Sequence, residues 1–381
     1  MKDSMYHNPM RENAYDVPEL CIEQCKKIEA DSRMILTTPE IFELRRILIT
    51  GCGDSYAAGV AMKTALEELT GLPVEVLPAM QVARYTGKDT FGKKKSTLVI
   101  AVSNSGKVSR VAEAFERAER LGGLTLAITG NPESPLAKAA QKQVPLTIPP
   151  FAAGGANGVR SYLISMLSLL LVGIRIGEVK LRYMMTDSQN YRDEVCRYAK
   201  CFSESLEEID EQILRLAQEN VDKISFEFLG SGGNYGTAWF GHAKIIEASG
   251  DFAAHNDLES WMHLNCFSRE LERRCTVIIS NEEGPDKSRA TETTDTIGKM
   301  KGSLLVITDS QDMELPVKAE RICIPKCKYD WMSPLLNYLP LALFAGYISK
   351  LKEETYGRSG QKDWEAVADI QLITGSKIEQ I

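Results

Sequence analysis

The strongest structural signal in the chain lies in residues 47–56, which read Ile-Leu-Ile-Thr-Gly-Cys-Gly-Asp-Ser-Tyr (ILITGCGDSY). The apolar run stops at two glycines one residue apart, Gly51 and Gly53, and a helical pattern follows in residues 57–69 (AAGVAMKTALEEL). A strand, a glycine turn and a helix in this order are typical of phosphate sites, because backbone N–H groups at a helix N-terminus attract anions. The stretch therefore predicts an α/β fold with an anion site at this turn.

Apolar runs and helical patterns continue to alternate after this turn. A helical pattern covers Val108–Leu121, and the apolar runs are residues 73–79 (PVEVLPA), Thr97–Val102 (TLVIAV) and Thr125–Thr129 (TLAIT). Strands that alternate with helices predict a parallel sheet that is covered on both faces.

The same order returns after residue 220. Gly230-x-Gly232-x-x-Tyr235 repeats Gly51-x-Gly53-x-x-Tyr56, and the repeat has its own apolar runs at Phe226–Leu229, Cys275–Ser280 and Ser303–Thr308. The repetition predicts two similar α/β domains. Their expected limits are a helical N-terminal segment at 1–44, a first domain at 45–176, a charged helical linker at 177–220, a second domain at 221–352 and a tail at 353–381.

Composition narrows the classes of function. The chain has 381 residues and a net charge of −7, which disfavours binding to a nucleic-acid backbone. The polar first residues and the nine irregularly spaced cysteines predict a cytoplasmic protein with reduced thiols. Residues 161–173 (SYLISMLSLLLVG) predict a buried helix that is too short to span a membrane. With four histidines and no cysteine–histidine spacing typical of zinc, we expect no metal.

Two specific nucleotide sites are excluded by their motifs. The dinucleotide fingerprint needs a third glycine where this chain has Tyr56, and the Gly-Lys-Ser/Thr of a Walker A loop is absent. The better phosphate signal is Ser103-Asn104-Ser105-Gly106-Lys107, which follows a predicted strand and precedes a helix. Ser55 lies in the neighbouring turn of the same sheet, and ligands of open α/β sheets bind at the carboxyl ends of the strands. The alternative is an ordinary serine helix cap.

GCGDSY followed by SNSGK in a doubled α/β chain resembles the sugar isomerase (SIS) domain family, over about residues 45–352. Its members include the isomerase half of glucosamine-fructose-6-phosphate synthase, fructosamine-6-phosphate deglycases and deaminating aminosugar-phosphate isomerases. The resemblance implies two flavodoxin-like, three-layer domains with parallel sheets, a site between them and no cofactor. The phosphate-binding residues that it implies are Gly53, Ser55, Ser103, Asn104, Ser105 and Val108. Many relatives have a threonine at the position of Val108, so one phosphate donor is expected to be missing.

The resemblance also implies the residues that transfer a proton between adjacent carbons of the sugar. Lys244 and Glu247 stand three apart in a predicted helix, so they share a helical face. The family's base corresponds to Glu247, and its neighbouring lysine corresponds to Lys244. A solvent-exposed ion pair is the alternative for this spacing.

A third catalytic candidate is His263. The segment Asp257–His263 resembles the family's Glu-x-x-His-Gly-Pro, whose histidine opens the sugar ring. Here Leu264-Asn265 replaces Gly-Pro. Glu259, a candidate for substrate binding, lies four residues before the histidine, and either Glu259 or Ser260 occupies the position of the motif's glutamate. In several relatives this histidine acts across a subunit interface, which implies a homodimer or a higher homo-oligomer. His242 and His255 are assigned to packing or to the surface, and a lining of the pocket by residues 255–257 is left open.

Substrate contacts outside these motifs are harder to place. Arg160 follows a loop rich in small residues, where an anion contact and helix capping are equally open. The family's tail lysine has no clear counterpart, and Lys362 and Lys377 are the two candidates.

The predicted function is that of a metal-independent enzyme acting on a phosphorylated sugar, with no nucleic-acid or membrane partner. The favoured reaction releases an amine from a 6-phosphorylated ketosamine or amino sugar through an enolamine. A simple aldose–ketose isomerase and a non-catalytic phosphosugar sensor are the alternatives.

Overall fold

The computed structural model describes residues 6–151, 158–315, 319–355, 357 and 371–379. Within these ranges, the strands form two sheets of five parallel strands each. Their bounds are β1 Arg46–Gly51, β2 Val74–Pro78, β3 Thr97–Ser103, β4 Leu124–Thr129, β5 Lys142–Pro145, β6 Ser225–Gly230, β7 Ala253–Asn256, β8 Arg274–Ile279, β9 Ser303–Thr308 and β10 Glu320–Cys323.

Helices separate most of the successive strands and also precede and follow the sheets. Their bounds in the described part of the chain are α1 Pro9–Arg33, α2 Thr38–Glu43, α3 Asp54–Thr70, α4 Ser109–Arg120, α5 Pro135–Lys138, α6 Val159–Val179, α7 Met185–Asn220, α8 Gly233–Ser249, α9 Leu258–His263, α10 Lys287–Lys299, α11 Pro334–Asn337, α12 Leu339–Leu351 and α13 Gln371–Thr374. Short 3₁₀ or π turns lie at Gln81–Tyr85, Lys88–Phe91, Asn265–Phe267, Leu271–Arg273 and Asp330–Met332.

The two sheets have the same topology. The first runs β2-β1-β3-β4-β5 and the second runs β10-β9-β8-β6-β7, which is the same order when each strand is matched to its counterpart in the repeat. This is the flavodoxin-like order 2-1-3-4-5. The strands β3, β4 and β6 are buried along their whole length, because helices cover both faces. The predicted pair of flavodoxin-like α/β folds is confirmed.

Some elements were not predicted from the sequence. The strands β5, β7 and β10 are four residues each, lie at sheet edges and have no apolar run. The helix α6 is also longer than predicted, at 21 residues, and it is long and apolar enough to cross a membrane by length and composition. However, 89% of its most apolar stretch is buried inside the protein, which is typical of a core helix.

The chain divides into two compact units. The first-sheet unit comprises the described residues of 21–150, 160–195 and 359–381, and the second-sheet unit comprises those of 1–20, 151–159 and 196–358. Each unit has an apolar cluster beside its sheet. The cluster of the first includes Leu48, Val99 and Phe115, and that of the second includes Leu229, Trp261 and Ile278.

Candidate functional site

The serine turn, residues 103–108, leads from β3 into α4. Ser103 is buried, whereas Asn104 and Ser105 are exposed. The hydroxyl of Ser103 accepts a hydrogen bond from the Gly106 amide (3.2 Å), and that of Ser105 accepts one from the Lys107 amide (3.3 Å). The turn therefore presents one amide side chain and one hydroxyl to solvent at the start of a helix.

The serines do not cap this helix. Val108 is at the N-cap position of α4, and its side chain makes no capping hydrogen bond. Gly53, at the N-cap position of α3, makes none either. Because β1 and β3 are neighbours, both helices start at the same edge of the sheet, with Ser55 half-buried in the first turn of α3. Two helix starts without side-chain caps are suited to an anion, since the first amides of a helix have no partner within it.

Gly106 fixes the shape of the serine turn. Its φ is +63°, and a Cβ built on it would lie 2.1 Å from the Ser134 hydroxyl oxygen. The carbonyl of Asn104 accepts a hydrogen bond from the Gly130 amide (2.9 Å), so the turn is held against the loop that follows β4. A side chain at position 106 would have a strained backbone conformation and would also push Ser134 away from the turn.

A cluster of charged residues beside the serine turn was missed from the sequence. Glu113 on α4 is 2% exposed and is contacted by Arg84 (3.0 Å) and by Arg110. Both arginines also donate to the backbone carbonyl of Lys377 (3.1 Å each), and Ser109 donates to the carbonyl of Thr374 (2.5 Å). Residues 371–379 thus lie against the helix that starts at the serine turn. No local pattern signals this contact, because its partners are more than 260 residues apart.

The predicted tail candidates have different outcomes. Lys377 belongs to this docked segment, and its ammonium pairs with Glu379 (3.1 Å). Lys362 lies outside the described residues, as do residues 152–157 of the small-residue loop. Arg160, which follows that loop, is 7% exposed and donates to the carbonyl of Pro149 (2.8 Å).

Lys244 and Glu247 form an ion pair on α8. The Lys244 ammonium is fully buried and lies 2.5 Å from Glu247 Oε2, while the Glu247 side chain is 42% exposed. The ring of Phe240 lies 5.2 Å from the ammonium. A solvent-exposed pair does not describe this geometry, because only the carboxylate reaches solvent. A half-exposed carboxylate held by a buried cation is suited to proton transfer with a ligand.

His263 ends α9 and is exposed. Its Nε2 lies 2.7 Å from Glu259 Oε1, and the side chains of these two residues are 73% and 57% exposed. Glu259 also accepts a hydrogen bond from Arg289 (2.5 Å). This bond, and to a smaller extent the one with His263, lowers the pKa of the Glu259 carboxyl. The Asp257 carboxylate accepts from the amides of Glu259 and Ser260 (3.0 Å each) and so starts the helix.

His242 and His255 pack against each other. Their rings stack at 4.4 Å between centroids, with Trp239 and Tyr235 beside them. Burial lowers the pKa of both imidazoles, and the proximity of His242 contributes to bringing that of His255 to about 4. Both rings are therefore neutral at neutral pH.

The second sheet carries a different turn at the position of the serine turn. Ser280 and Asn281 correspond to Ser103 and Asn104, but Glu282 and Glu283 follow. Burial raises the pKa of the nearby Asp286 to about 6, and the Glu282 amide donates to Asp309 (2.7 Å). These carboxylates disfavour the binding of a phosphate at the turn after β8. In the same described ranges, no three His, Cys, Asp or Glu side chains form a group that could hold a metal ion.

Comparison with known proteins agrees with this architecture. Residues 40–175, which include the glycine turn and the serine turn, match the SIS domain family model. The chain is 25% identical over 325 residues to glutamine–fructose-6-phosphate aminotransferase [isomerizing] 2 of Mus musculus, covering 82% of this chain and 44% of the relative. It spans about half the length of the curated relatives that it matches.

Solved structures share the fold over nearly the whole chain. The C-terminal domain of glucosamine-fructose-6-phosphate aminotransferase from Francisella tularensis superposes with a TM-score of 0.81 at 18% identity, over 93% of this chain and 98% of that one. Tagatose-6-phosphate ketose/aldose isomerase from Escherichia coli gives 0.69 at 17% identity (98% and 96% covered), and glucosamine-6-phosphate deaminase from Thermotoga maritima gives 0.61 at 15% (89% and 96%). Residues 40–175 are therefore similar to the SIS domain family, and nearly the whole chain shares its fold with these solved structures.

Proposed function

We propose that this protein is an enzyme that acts on a phosphorylated sugar and releases an amine from it. The observation that carries the proposal is the buried Lys244 ammonium paired with the half-exposed Glu247 carboxylate, in a chain that is similar to the SIS domain family over residues 40–175 and also has an uncapped serine turn. A protein that only senses a sugar phosphate needs the serine turn but not the Lys244–Glu247 pair.

The phosphate is assigned to the first-sheet unit. Ser55, Ser103, Asn104 and Ser105 supply neutral hydrogen-bond donors, and the starts of α3 and α4 supply backbone amides and the positive ends of two helix dipoles. The nearby Arg110 is occupied by Glu113 and by the carbonyl of Lys377, so it is not assigned to the phosphate.

The chemical step is assigned to Glu247, with Lys244 and His263. In a 6-phosphorylated ketosamine, the Glu247 carboxylate removes a proton from C1, giving an enolamine, and the carboxylic acid returns that proton to C2. The product is an imine at C1, which water hydrolyses to an aldose 6-phosphate and a free amine. In a 2-amino sugar the proton moves from C2 to C1, and hydrolysis of the C2 imine releases ammonia. Lys244 holds the carboxylate in place, and His263 transfers a proton as the ring opens.

A simple aldose–ketose isomerase is the second candidate, and it needs the same residues and no leaving amine. The likeness in fold to the tagatose-6-phosphate isomerase of Escherichia coli favours it, and the likeness to the deaminase of Thermotoga maritima favours amine release.

Phosphorus and proton NMR distinguish these reactions. The purified protein is incubated with glucosamine 6-phosphate, fructose 6-phosphate and several fructosamine 6-phosphates. We expect a hexose phosphate to appear together with free amine or ammonia, and Glu247→Gln to slow the release of both by roughly a hundredfold or more. Aldose–ketose exchange without amine would establish the simple isomerase. Shifted phosphate resonances without turnover would indicate a sensor, and the roles of Glu247 and His263 would be wrong.

A further inference from the structure

Glu227 is a carboxylate in the middle of a buried strand. It lies in β6 between Phe226 and Phe228, and it is 3% exposed. Burying a carboxylate is costly unless its oxygens accept hydrogen bonds. Both oxygens do so: Oε2 accepts from Trp261 Nε1 (2.7 Å), and Oε1 accepts from Asn265 Nδ2 (2.6 Å). Neither the proposed phosphate site nor the proposed proton transfer uses this residue.

The two donors lie on either side of His263 in the chain. Trp261 is two residues before it, fully buried in the apolar cluster of the second sheet, and Asn265 is two residues after it. Asn265 also accepts a hydrogen bond from the side chain of Asn256 at the end of β7 (3.2 Å). One buried carboxylate therefore anchors the backbone both before and after the histidine.

His263 depends on these anchors because its own side chain is 73% exposed. Its described hydrogen-bond partner is Glu259, which is itself an exposed residue of the same helix. The position of the imidazole thus depends on the backbone of residues 258–267, which carries both His263 and Glu259. In the family's motif a Gly-Pro pair follows the histidine, whereas here Leu264-Asn265 stands in its place, and Asn265 is the residue that reaches Glu227.

We propose that Glu227 is a positioning residue for ring opening, acting on His263 through Trp261 and Asn265. The inference rests on the proposed function, in which His263 assists the opening of the sugar ring. The role is separable from proton transfer by Glu247, because an open-chain substrate does not need the histidine.

The test compares two forms of whichever substrate the NMR panel identifies. The first form closes to a ring, and the second is an open-chain analogue without the ring-closing hydroxyls, which is 5-deoxy for a ketosamine and 4,5-dideoxy for an aldose. We expect Glu227→Gln to lower kcat/KM for the ring-forming substrate by about tenfold or more, and for the open-chain analogue by about twofold or less. Asn265→Ala, which removes a donor from a half-buried position, is expected to give the same selectivity.

Asp210→Asn is the matched control, because Asp210 is a buried carboxylate that accepts from Tyr15 (2.8 Å) and Tyr347 (2.5 Å). The loss of this carboxylate should affect both substrates equally.

Amide hydrogen exchange gives a readout that needs no turnover. In Glu227→Gln, exchange at residues 258–267 should accelerate at least tenfold relative to the wild type and to Asp210→Asn. Equal losses on the two substrates, or unchanged exchange at 258–267, would overturn the role of Glu227. If no substrate is turned over, the proposed function fails, and with it the role in ring opening. The exchange data would then show separately whether the anchor exists.

Discussion

At the scale of single residues, burial distinguishes the two partners of the Lys244–Glu247 pair. A spacing of three residues fits both a surface ion pair and a catalytic pair, and the sequence is the same in either case. In the structure Lys244 is fully buried and Glu247 is half-exposed. A buried charge without a partner is destabilising, so the lysine holds the carboxylate in one place.

The first prediction concerns Glu247→Gln. The amide keeps the size of the side chain but cannot accept a proton, so we expect turnover to fall by roughly 10²- to 10⁴-fold, the usual range for losing a general base. The measurement is the rate of product formation by NMR at saturating substrate. Asp251→Asn is the matched control, since Asp251 also pairs with a lysine, Lys352 (2.6 Å), and it should keep near-wild-type turnover. A Glu247→Gln variant with more than a tenth of the wild-type rate would contradict the assignment.

The second prediction concerns Val108→Thr. Position 108 is the N-cap of α4 and has no side-chain cap, so a hydroxyl there adds a donor beside the serine turn. One added hydrogen bond contributes about 0.5–1.5 kcal/mol, which corresponds to about two- to tenfold tighter binding of phosphate. Calorimetric titration with inorganic phosphate measures the change in affinity. Val108→Ile, which adds no hydroxyl, should not tighten binding. Unchanged or weaker binding by Val108→Thr would place the phosphate elsewhere.

At the scale of elements, the glycine turns show how strand and helix are joined in both halves. Gly53 and Gly232 have nearly the same φ, +57° and +55°, at the N-cap positions of α3 and α8. A Cβ on Gly51 would lie 3.0 Å from the backbone of α3, and one on Gly230 would lie 2.4 Å from the carbonyl of Asn234. The spacing of the two glycines therefore follows from close helix–strand approach and from one positive φ.

The third prediction compares two glycine turns of the first sheet. Gly106→Ala combines a positive φ with a Cβ only 2.1 Å from the Ser134 hydroxyl, whereas Gly53→Ala has a positive φ and no neighbour within 4 Å. We expect Gly53→Ala to cost about 1–2 kcal/mol of unfolding free energy, and Gly106→Ala to cost more and to weaken phosphate binding at least tenfold. Urea unfolding and phosphate titration measure the two effects. Equal losses of stability in both variants would show that crowding at Gly106 is relieved by movement of Ser134.

At the scale of the whole molecule, the duplicated sheets share topology but not surface chemistry. The turn after β3 carries hydroxyls, and the matching turn after β8 carries Glu282 and Glu283. The second-sheet unit has instead the Lys244–Glu247 pair and the stacked His242–His255 pair. The two halves share a backbone topology, and the residues at the ends of their strands give them different predicted roles.

The fourth prediction is a pH dependence of global stability. The pKa of His255 is about 4 in the folded protein, compared with 6.5 when unfolded, so the unfolded chain binds more protons between these values. This contribution to stability is complete above pH 6.5 and is lost as the pH falls towards 4. Because the ring is partly exposed, we expect about 1 kcal/mol to be lost between pH 7 and pH 5. Urea unfolding of the wild type and of His255→Phe at both pH values isolates this contribution, and equal losses in the two proteins would contradict it.

The sequence by itself determined the two parallel sheets, the repeat and the position of the serine turn. Local sequence patterns indicate these features, because a buried strand needs a short apolar run and a tight strand–helix turn needs glycines. The edge strands β5, β7 and β10 escaped prediction because they are four residues long and half-exposed, and they are stabilised mainly by pairing with a neighbouring strand.

Only the tertiary structure decided which charged residues are buried and which partners they have. The contacts of Glu227 with Trp261, and of Ser109 with Thr374, join residues 34 and 265 positions apart. The burial of Lys244 likewise depends on what packs over its helix. Hydrogen bonding and desolvation act through space, so a pattern along the chain does not contain them.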